Sequence, residues 1–281
     1  MKKIIYSIIT ILLLLIIVFF GIKLIPNSSP TVKTIKTETR EIVDTITTTG
    51  TLIPNKQSKL SQSGEVSEVL VKIGDKVTSG QTLASYSDGS HLVSEISGTV
   101  TQVNITKGDY DLNSQKGDYS IIVDDLSELK VKINLSKNEA KKVKINQDVK
   151  VTSGQTTVKG SVSEKNPTAS ESATGNSTLN ALITLDKTPD DWFSGFDVDT
   201  IITTDIEENA LTVPVNCVIY DDKNNATVFV VNDNIAKKIR VKTGIQSGGY
   251  IQIIDGVKKG DEVITNPDNY LKDNMNVKVG K

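Results

Sequence analysis

The sequence predicts a mainly β protein in which several small β-domains follow one membrane-spanning helix. Two observations carry that prediction. The first is an internal repeat: Ser63-Gly64-Glu65-Val66-Ser67-Glu68-Val69-Leu70-Val71-Lys72-Ile73-Gly74-Asp75 returns as Ser97-Gly98-Thr99-Val100-Thr101-Gln102-Val103-Asn104-Ile105-Thr106-Lys107-Gly108-Asp109, at the constant offset 98 − 64 = 34. The second is an uncharged apolar run from Ile4 to Ile22, interrupted only by Tyr6, Ser7, Thr10 and Gly21.

Each copy of the repeat reads as a strand followed by a tight turn, because apolar residues alternate at Val69, Val71 and Ile73 before Gly74-Asp75 supplies turn chemistry. Two copies are too few for a solenoid, which needs about three stacked units to bury a core. The halves are therefore expected to pack on each other as one small β-sandwich over residues 56–124. In this reading Gly64, Gly74, Asp75, Gly98, Gly108 and Asp109 are structural turn residues.

A helix rises about 1.5 Å per residue, so the run containing Ile4, Leu12, Leu14, Phe19 and Ile22 is long enough to span a hydrocarbon core of about 30 Å. A secretory signal has a shorter apolar stretch, roughly 7–15 residues, ending at a small-x-small site. Neither Ala-x-Ala nor a lipobox cysteine follows Ile22. An uncleaved anchor over residues 1–25 is thus favoured over a cleaved signal. Lys2 and Lys3 favour a cytoplasmic N-terminus, which puts the bulk of the chain on the far side of the membrane.

Residues 26–55 read as a linker and a strand that ends at Pro54. After the repeat, Leu129, Val131, Ile133 and Leu135 alternate with polar residues as a half-buried strand does. Ser136-Lys137-Asn138-Glu139 matches a capping box and predicts one short helix through Val143. Strands are expected around Val149 and Val151, Val158 to Val162, Leu179 to Leu185 and Val198 to Thr203, with a surface loop from Ser163 to Ser177. That is a small β-barrel over residues 125–206. Apolar runs at Leu211 to Val215, Val228 to Val231, Ile239 to Thr243, Tyr250 to Ile254 and Glu262 to Thr265 predict a last β-domain over residues 207–281, completed by the strand before Pro54.

Chemistry-bearing residues are sparse. A net charge of −2 provides no basic footprint for nucleic acid. The single cysteine, Cys217, excludes an intramolecular disulfide and reads as a small buried hydrophobe. His91 is the one histidine, so neither a two-histidine catalytic dyad nor a multi-histidine metal site can be assembled. Asp124-Asp125, Asp190-Asp191 and Asp221-Asp222 read as turn and solubility residues. Nucleophile elbows and phosphate loops are missing, and no cofactor is expected. Candidate partner contacts are Asp88, Gly89, Ser90 and His91 at the join between the copies, Lys141 and Lys142 with Lys137 and Lys144 around the short helix, and Trp192 beside Phe193, for which capping the barrel is the competing role.

The order of pieces resembles the membrane fusion protein, or HlyD-like adaptor, family that accompanies ABC-type and RND-type exporters. The matching stretches are Thr48 to Pro54, Ser63 to Val66, Gly74 to Leu83, Ser97 to Val100, Gly108-Asp109, Asp125 to Leu129, Leu211 to Val215 and Gly256 to Val263. The resemblance implies that residues 56–124 form a lipoyl-like (biotinyl-lipoyl-like) domain and residues 207–281 a membrane-proximal β-domain. In that family a long α-helical hairpin separates the two halves. Here only Ser87 to Glu95 join them, and nine residues, even fully helical, reach about 14 Å. The expectation is a short-form, non-enzymatic adaptor at the cell membrane of a single-membrane bacterium, working with ABC permease and ATPase subunits and self-associating into a ring. The join carries no lysine, so a lipoyl or biotin carrier is not expected. The alternative is an anchored envelope module that binds a peptide or wall polymer as a sensor or immunity factor.

Overall fold

The computed structural model describes residues 29–171 and 177–280. The anchor predicted over Ile4 to Ile22 lies outside the described residues. Among the described residues no helix is long and apolar enough to cross a membrane. Strands dominate, accompanied by short helices at Asn113–Lys116 and Lys137–Lys142 and a 3-10 turn at Val215–Cys217. Contacts divide the chain into two compact units, one of residues 43–206 and one of residues 29–42 with 207–280.

The first unit begins with the repeat. Its copies supply the strands Gly64–Val69 and Gly98–Val103, which end earlier than the apolar alternation suggested. Val71 still packs on the core, but Ile73 is 64% exposed. The turn explains the early end: the Lys72 amide donates to Asp75 Oδ2 at 3.0 Å, Asp75 N donates back to the Lys72 carbonyl, and Gly74 takes φ 92°. A side-chain acceptor placed after a residue at positive φ closes the loop on itself and takes the backbone out of the ladder. The same device recurs at Thr78 to Gln81 and Lys258 to Asp261, and the Lys144 amide likewise donates to Gln147 Oε1.

The two halves are interlocked rather than stacked. Gly74 N donates to the Val100 carbonyl and Val100 N to the Asp75 carbonyl; thirty-four residues on, Gly108 N donates to Val66 and Val66 N to Asp109, all at 2.8–2.9 Å. Lys76 pairs with Thr99 as Tyr110 pairs with Glu65, and Val77 with Gly98 as Asp111 with Gly64. Each copy's turn thus clasps the other copy's central strand, with Val66 and Val100 buried at the centre of the sandwich.

A six-stranded closed barrel follows in the same unit. Asp148–Ser153 pairs with Thr156–Lys165 and with Asp197–Pro214; Ser177–Leu185 pairs with Thr156–Lys165 and with Ile121–Leu135; Glu38–Leu60 completes the ring between Asp197–Pro214 and Ile121–Leu135. Val131, Ile133 and Leu135 point inward beneath the exposed Lys132 and Asn134, the alternation the sequence predicts. Two elements are longer than expected. Glu38–Leu60 runs through Pro54 instead of stopping there, since the register shifts between Pro54 and Lys56, and a bulge tolerates the missing N–H. Asp197–Pro214 continues through Asp205 to Asn209, whose exposed side chains hide the strand from a hydrophobic pattern. The loop expected from Ser163 to Ser177 is shorter, because the strand Thr156–Lys165 extends into it and Ser170–Glu171 pairs with Ser177–Leu185.

In the second unit, Ala226–Asn232 pairs with Ile235–Arg240 and Glu262–Thr265. The strand Thr31–Lys36, rather than the segment before Pro54, pairs with Glu262–Thr265. Buried Thr37 fixes the next turn: its hydroxyl donates to the Lys258 carbonyl at 2.6 Å and its carbonyl accepts from Gly260 N. Cys217 lies in the 3-10 turn, not in a strand, and is fully buried; desolvation pushes its thiol up to about 11.

Candidate functional site

The join between the repeat copies is a closed hairpin turn. Tyr86 N donates to the Ser90 carbonyl at 2.9 Å, Gly89 N donates to the Tyr86 carbonyl, and Gly89 takes φ 87°. Asp88 Oδ1 accepts from the Ser90 hydroxyl at 2.6 Å and the Ser90 amide at 2.9 Å, which holds this carboxyl below the usual range. Gln62 Nε2 ties Ser90 Oγ to the sandwich, and exposed His91 places Nδ1 3.1 Å from Ser85 Oγ across the hairpin. The structure therefore brings Asp88, Gly89, Ser90 and His91 together as one rigid polar tip.

The cationic helix is a second feature. Its N-terminus has the expected capping box, with Glu139 N donating to Ser136 Oγ and Ser136 N to Glu139 Oε2. Lys142 is not a free cation, since its Nζ lies 2.7 Å from Asp44 Oδ2, whereas Lys141 faces solvent. Lys165, which the sequence did not single out, donates to the Ala140 and Val143 carbonyls and satisfies the helix end.

Of the two roles weighed for Trp192, the structure shows barrel capping, and the partner contact is corrected. Trp192 is 7% exposed and belongs to the barrel core, so it presents no contact surface. A turn closed by Trp192 N on the Pro189 carbonyl swings the indole inward and leaves Asp190 and Asp191 outside. The exposed aromatic residues of this loop are Phe193 and Phe196, about 60% exposed and edge to face at 6.1 Å. Gly195 N donates to the Leu52 carbonyl and Leu52 N to the Phe196 carbonyl, so this loop is pinned to a barrel strand.

Two aspartates are buried, one of them, Asp124, against the expectation of a turn or solubility residue. Asp124 is buried in a strand, with Oδ2 accepting from Thr101 Oγ1 at 2.8 Å and Oδ1 unpaired. Asp111 lies at the position in the second copy that Val77 fills in the first, and is equally buried. It accepts from the Tyr86 hydroxyl at 2.8 Å, the Ser120 hydroxyl at 2.5 Å and Asn113 N at 2.9 Å. Burial, followed by the adjoining Asp111 carboxylate, pushes the Tyr86 phenol well above its usual range. Nothing in the sequence separates these two aspartates from exposed ones except the 34-residue register, which aligns Asp111 with a valine.

No group of three or more His, Cys, Asp or Glu side chains suited to a metal occurs among the described residues. A groove of about 570 Å³ lies along Lys76, Gly98, Thr99, Asp125 and Leu126, but it is open to solvent, unlike an enclosed ligand cavity.

A split sandwich, a six-stranded barrel and a terminal β-domain thus make up the described chain. The fold is shared with MacA from Actinobacillus actinomycetemcomitans (TM-score 0.69, 16% identity, covering 84% of this chain and 99% of that one) and with ZneB from Cupriavidus metallidurans (TM-score 0.50, 15% identity, 88% and 97%). More specifically, residues 60–121 match the YknX barrel-sandwich hybrid domain and residues 210–279 the YknX C-terminal permuted SH3-like domain, so the chain carries two YknX-like domains. YknX of Bacillus subtilis (strain 168) is 31% identical over 211 residues, covering 70% of this chain and 54% of that protein. The chain thus spans about half the length of this curated relative.

Proposed function

We propose that this chain is the adaptor subunit of an ABC-type efflux or secretion system, held at the cell membrane by its N-terminal helix with its β-domains on the extracytoplasmic side. The observation that carries this reading is the interlocked sandwich closed by the Tyr86–Ser90 turn, set among the other modules of a membrane fusion protein. A tip that short has no reach toward a second membrane, which supports an exporter of a single-membrane cell. Copies of the chain would surround the transporter, and ATP-driven motion would come from the partner, since the chain has no nucleotide-binding motif.

The aromatic pair suits a contact with the transporter. Replacing both Phe193 and Phe196 with alanine is expected to change stability by no more than about 0.5 kcal/mol, as both are surface residues. It should weaken association with the transporter about tenfold or more, the loss typical of aromatic hot spots. Thermal melts and co-purification yields from membranes check the two halves of this prediction.

Deletion of the gene should lower export and sensitise cells to at least one transported compound, and the full-length gene should restore both. An unchanged secreted profile and unchanged resistance, together with binding of the exported part to isolated wall polymer, would favour the anchored ligand-binding module instead.

A further inference from the structure

The outer wall of the barrel sets two lysines directly against each other. The hairpin of Asp148–Ser153 and Thr156–Lys165 turns on Gly154 and Gln155, with Ser153 paired to Thr156. A two-residue hairpin closes on a hydrogen-bonded pair, and the two kinds of pair alternate from there. Thr152 with Thr157 and Lys150 with Lys159 are therefore the close, non-hydrogen-bonded kind, about 4.5 Å between Cα atoms. The Thr152 and Thr157 hydroxyls meet at 3.0 Å, as that register requires. Both lysines are exposed, while Val149, Val151 and Val158 beside them turn into the barrel core. Like charges so placed destabilise a sheet, and neither lysine forms an ion pair with a carboxylate of the described residues.

The register also fixes what flanks the pair. Lys150 faces Ile201 on its other side, and the Asp186 amide donates to the Lys159 carbonyl at 2.9 Å, which places Asp186 opposite Lys159. Asp148 stands two residues before Lys150 on the same face, opposite Ser161. The two lysines, the two aspartates and Ser161 line one groove of about 450 Å³. Two adjacent cations thus sit in a groove whose edges are acidic.

We propose that this groove binds a phosphate ester bearing a primary amine, with phosphate oxygens bridging the Lys150 and Lys159 ammonium groups and the ligand's amine on Asp186. One oxygen for each lysine replaces their repulsion with two charge-assisted hydrogen bonds, and the Ser161 hydroxyl is a further donor on the same wall. A simple dianion would lie beside the Asp186 and Asp148 carboxylates without a partner for either. An ammonium a few ångströms from the phosphorus supplies that partner and makes the ligand's charge pattern the complement of the groove's.

Thermal melts of the full-length chain in detergent micelles test this with phosphoethanolamine as the probe. Millimolar phosphoethanolamine should raise Tm by about 2 °C or more, inorganic phosphate should raise it less, and ethanolamine should leave it unchanged. Lys150→Thr and Lys159→Thr put a good strand former beside the Thr152–Thr157 pair. Each should melt no lower than the unchanged chain without ligand, because the repulsion is gone, and each should lose the response. Asp186→Asn should respond equally to phosphoethanolamine and to inorganic phosphate. A short-chain phosphatidylethanolamine that acts at lower concentration than the free ester would assign the site to a lipid headgroup, and the reverse order to a soluble ester. A Tm unmoved by phosphoethanolamine, an equal response in the lysine variants, or lysine variants that both melt lower without ligand would overturn the proposal.

Discussion

Replacing Asp111 with valine should destabilise the first unit by about 2–4 kcal/mol, although it restores the residue type found at the equivalent position of the other repeat copy. The valine removes the acceptor for the Tyr86 and Ser120 hydroxyls, both in buried residues, and each stranded donor costs about 1–3 kcal/mol. Removing the donors as well changes the outcome. In the triple variant Asp111→Val, Tyr86→Phe and Ser120→Ala no buried polar atom of the trio remains, so most of the loss should be recovered. Denaturant unfolding of the single and triple variants measures the difference; equal losses would mean that packing, not hydrogen bonding, governs the site. The phenol adds a pH dependence. Its folded-state pKa is raised above the ordinary 10.0, so its contribution to stability is complete below pH 10 and is lost as pH rises beyond it.

Gly98→Ala is expected to cost about 1–3 kcal/mol through overpacking alone. An added Cβ would lie 2.5 Å from the Asp124 carbonyl oxygen and 2.8 Å from its carbon, and both atoms belong to the backbone of the paired strand. Neither can rotate away. Gly108→Ala separates this effect from backbone strain, because its Cβ would meet open space while its φ of 88° penalises any side chain by roughly 1–2 kcal/mol. Parallel melts of the two variants should show a larger loss at Gly98 that second-site changes in exposed side chains do not relieve. The same residue pair thus separates two reasons for a glycine within one repeated motif.

The turn chemistry was largely legible in the sequence because it is local: Gly74-Asp75, Gly108-Asp109 and the Ser136 capping box each specify their own backbone within four residues. The repeat showed two packed halves, but not that each turn would clasp the opposite half, since that choice is made by pairing across 34 residues. Solvated stretches of strand escaped detection for a related reason. Asp205 to Asn209 and the segment through Pro54 belong to continuous strands through ladder hydrogen bonds, which leave no trace in a pattern of apolar side chains. Side-chain direction in loops was the least visible property. One turn of chain decides that Trp192 faces the barrel core while Phe193 faces solvent, and the sequence presents them as neighbours of equal character.

The contact surfaces were legible only in part. The Asp88–His91 tip stood out because it is where the copies meet, whereas the cationic helix lost one candidate once Lys142 was found paired with Asp44.

The role proposed for this chain is that of an adaptor working with a transporter that supplies the energy. Its most direct test is affinity purification of the tagged full-length chain from native membranes, followed by identification of the proteins that accompany it. An ABC ATPase and a multispanning permease are expected in amounts comparable to the chain itself. Recovery of the chain without either, from cells whose export is unaffected by its deletion, would contradict it.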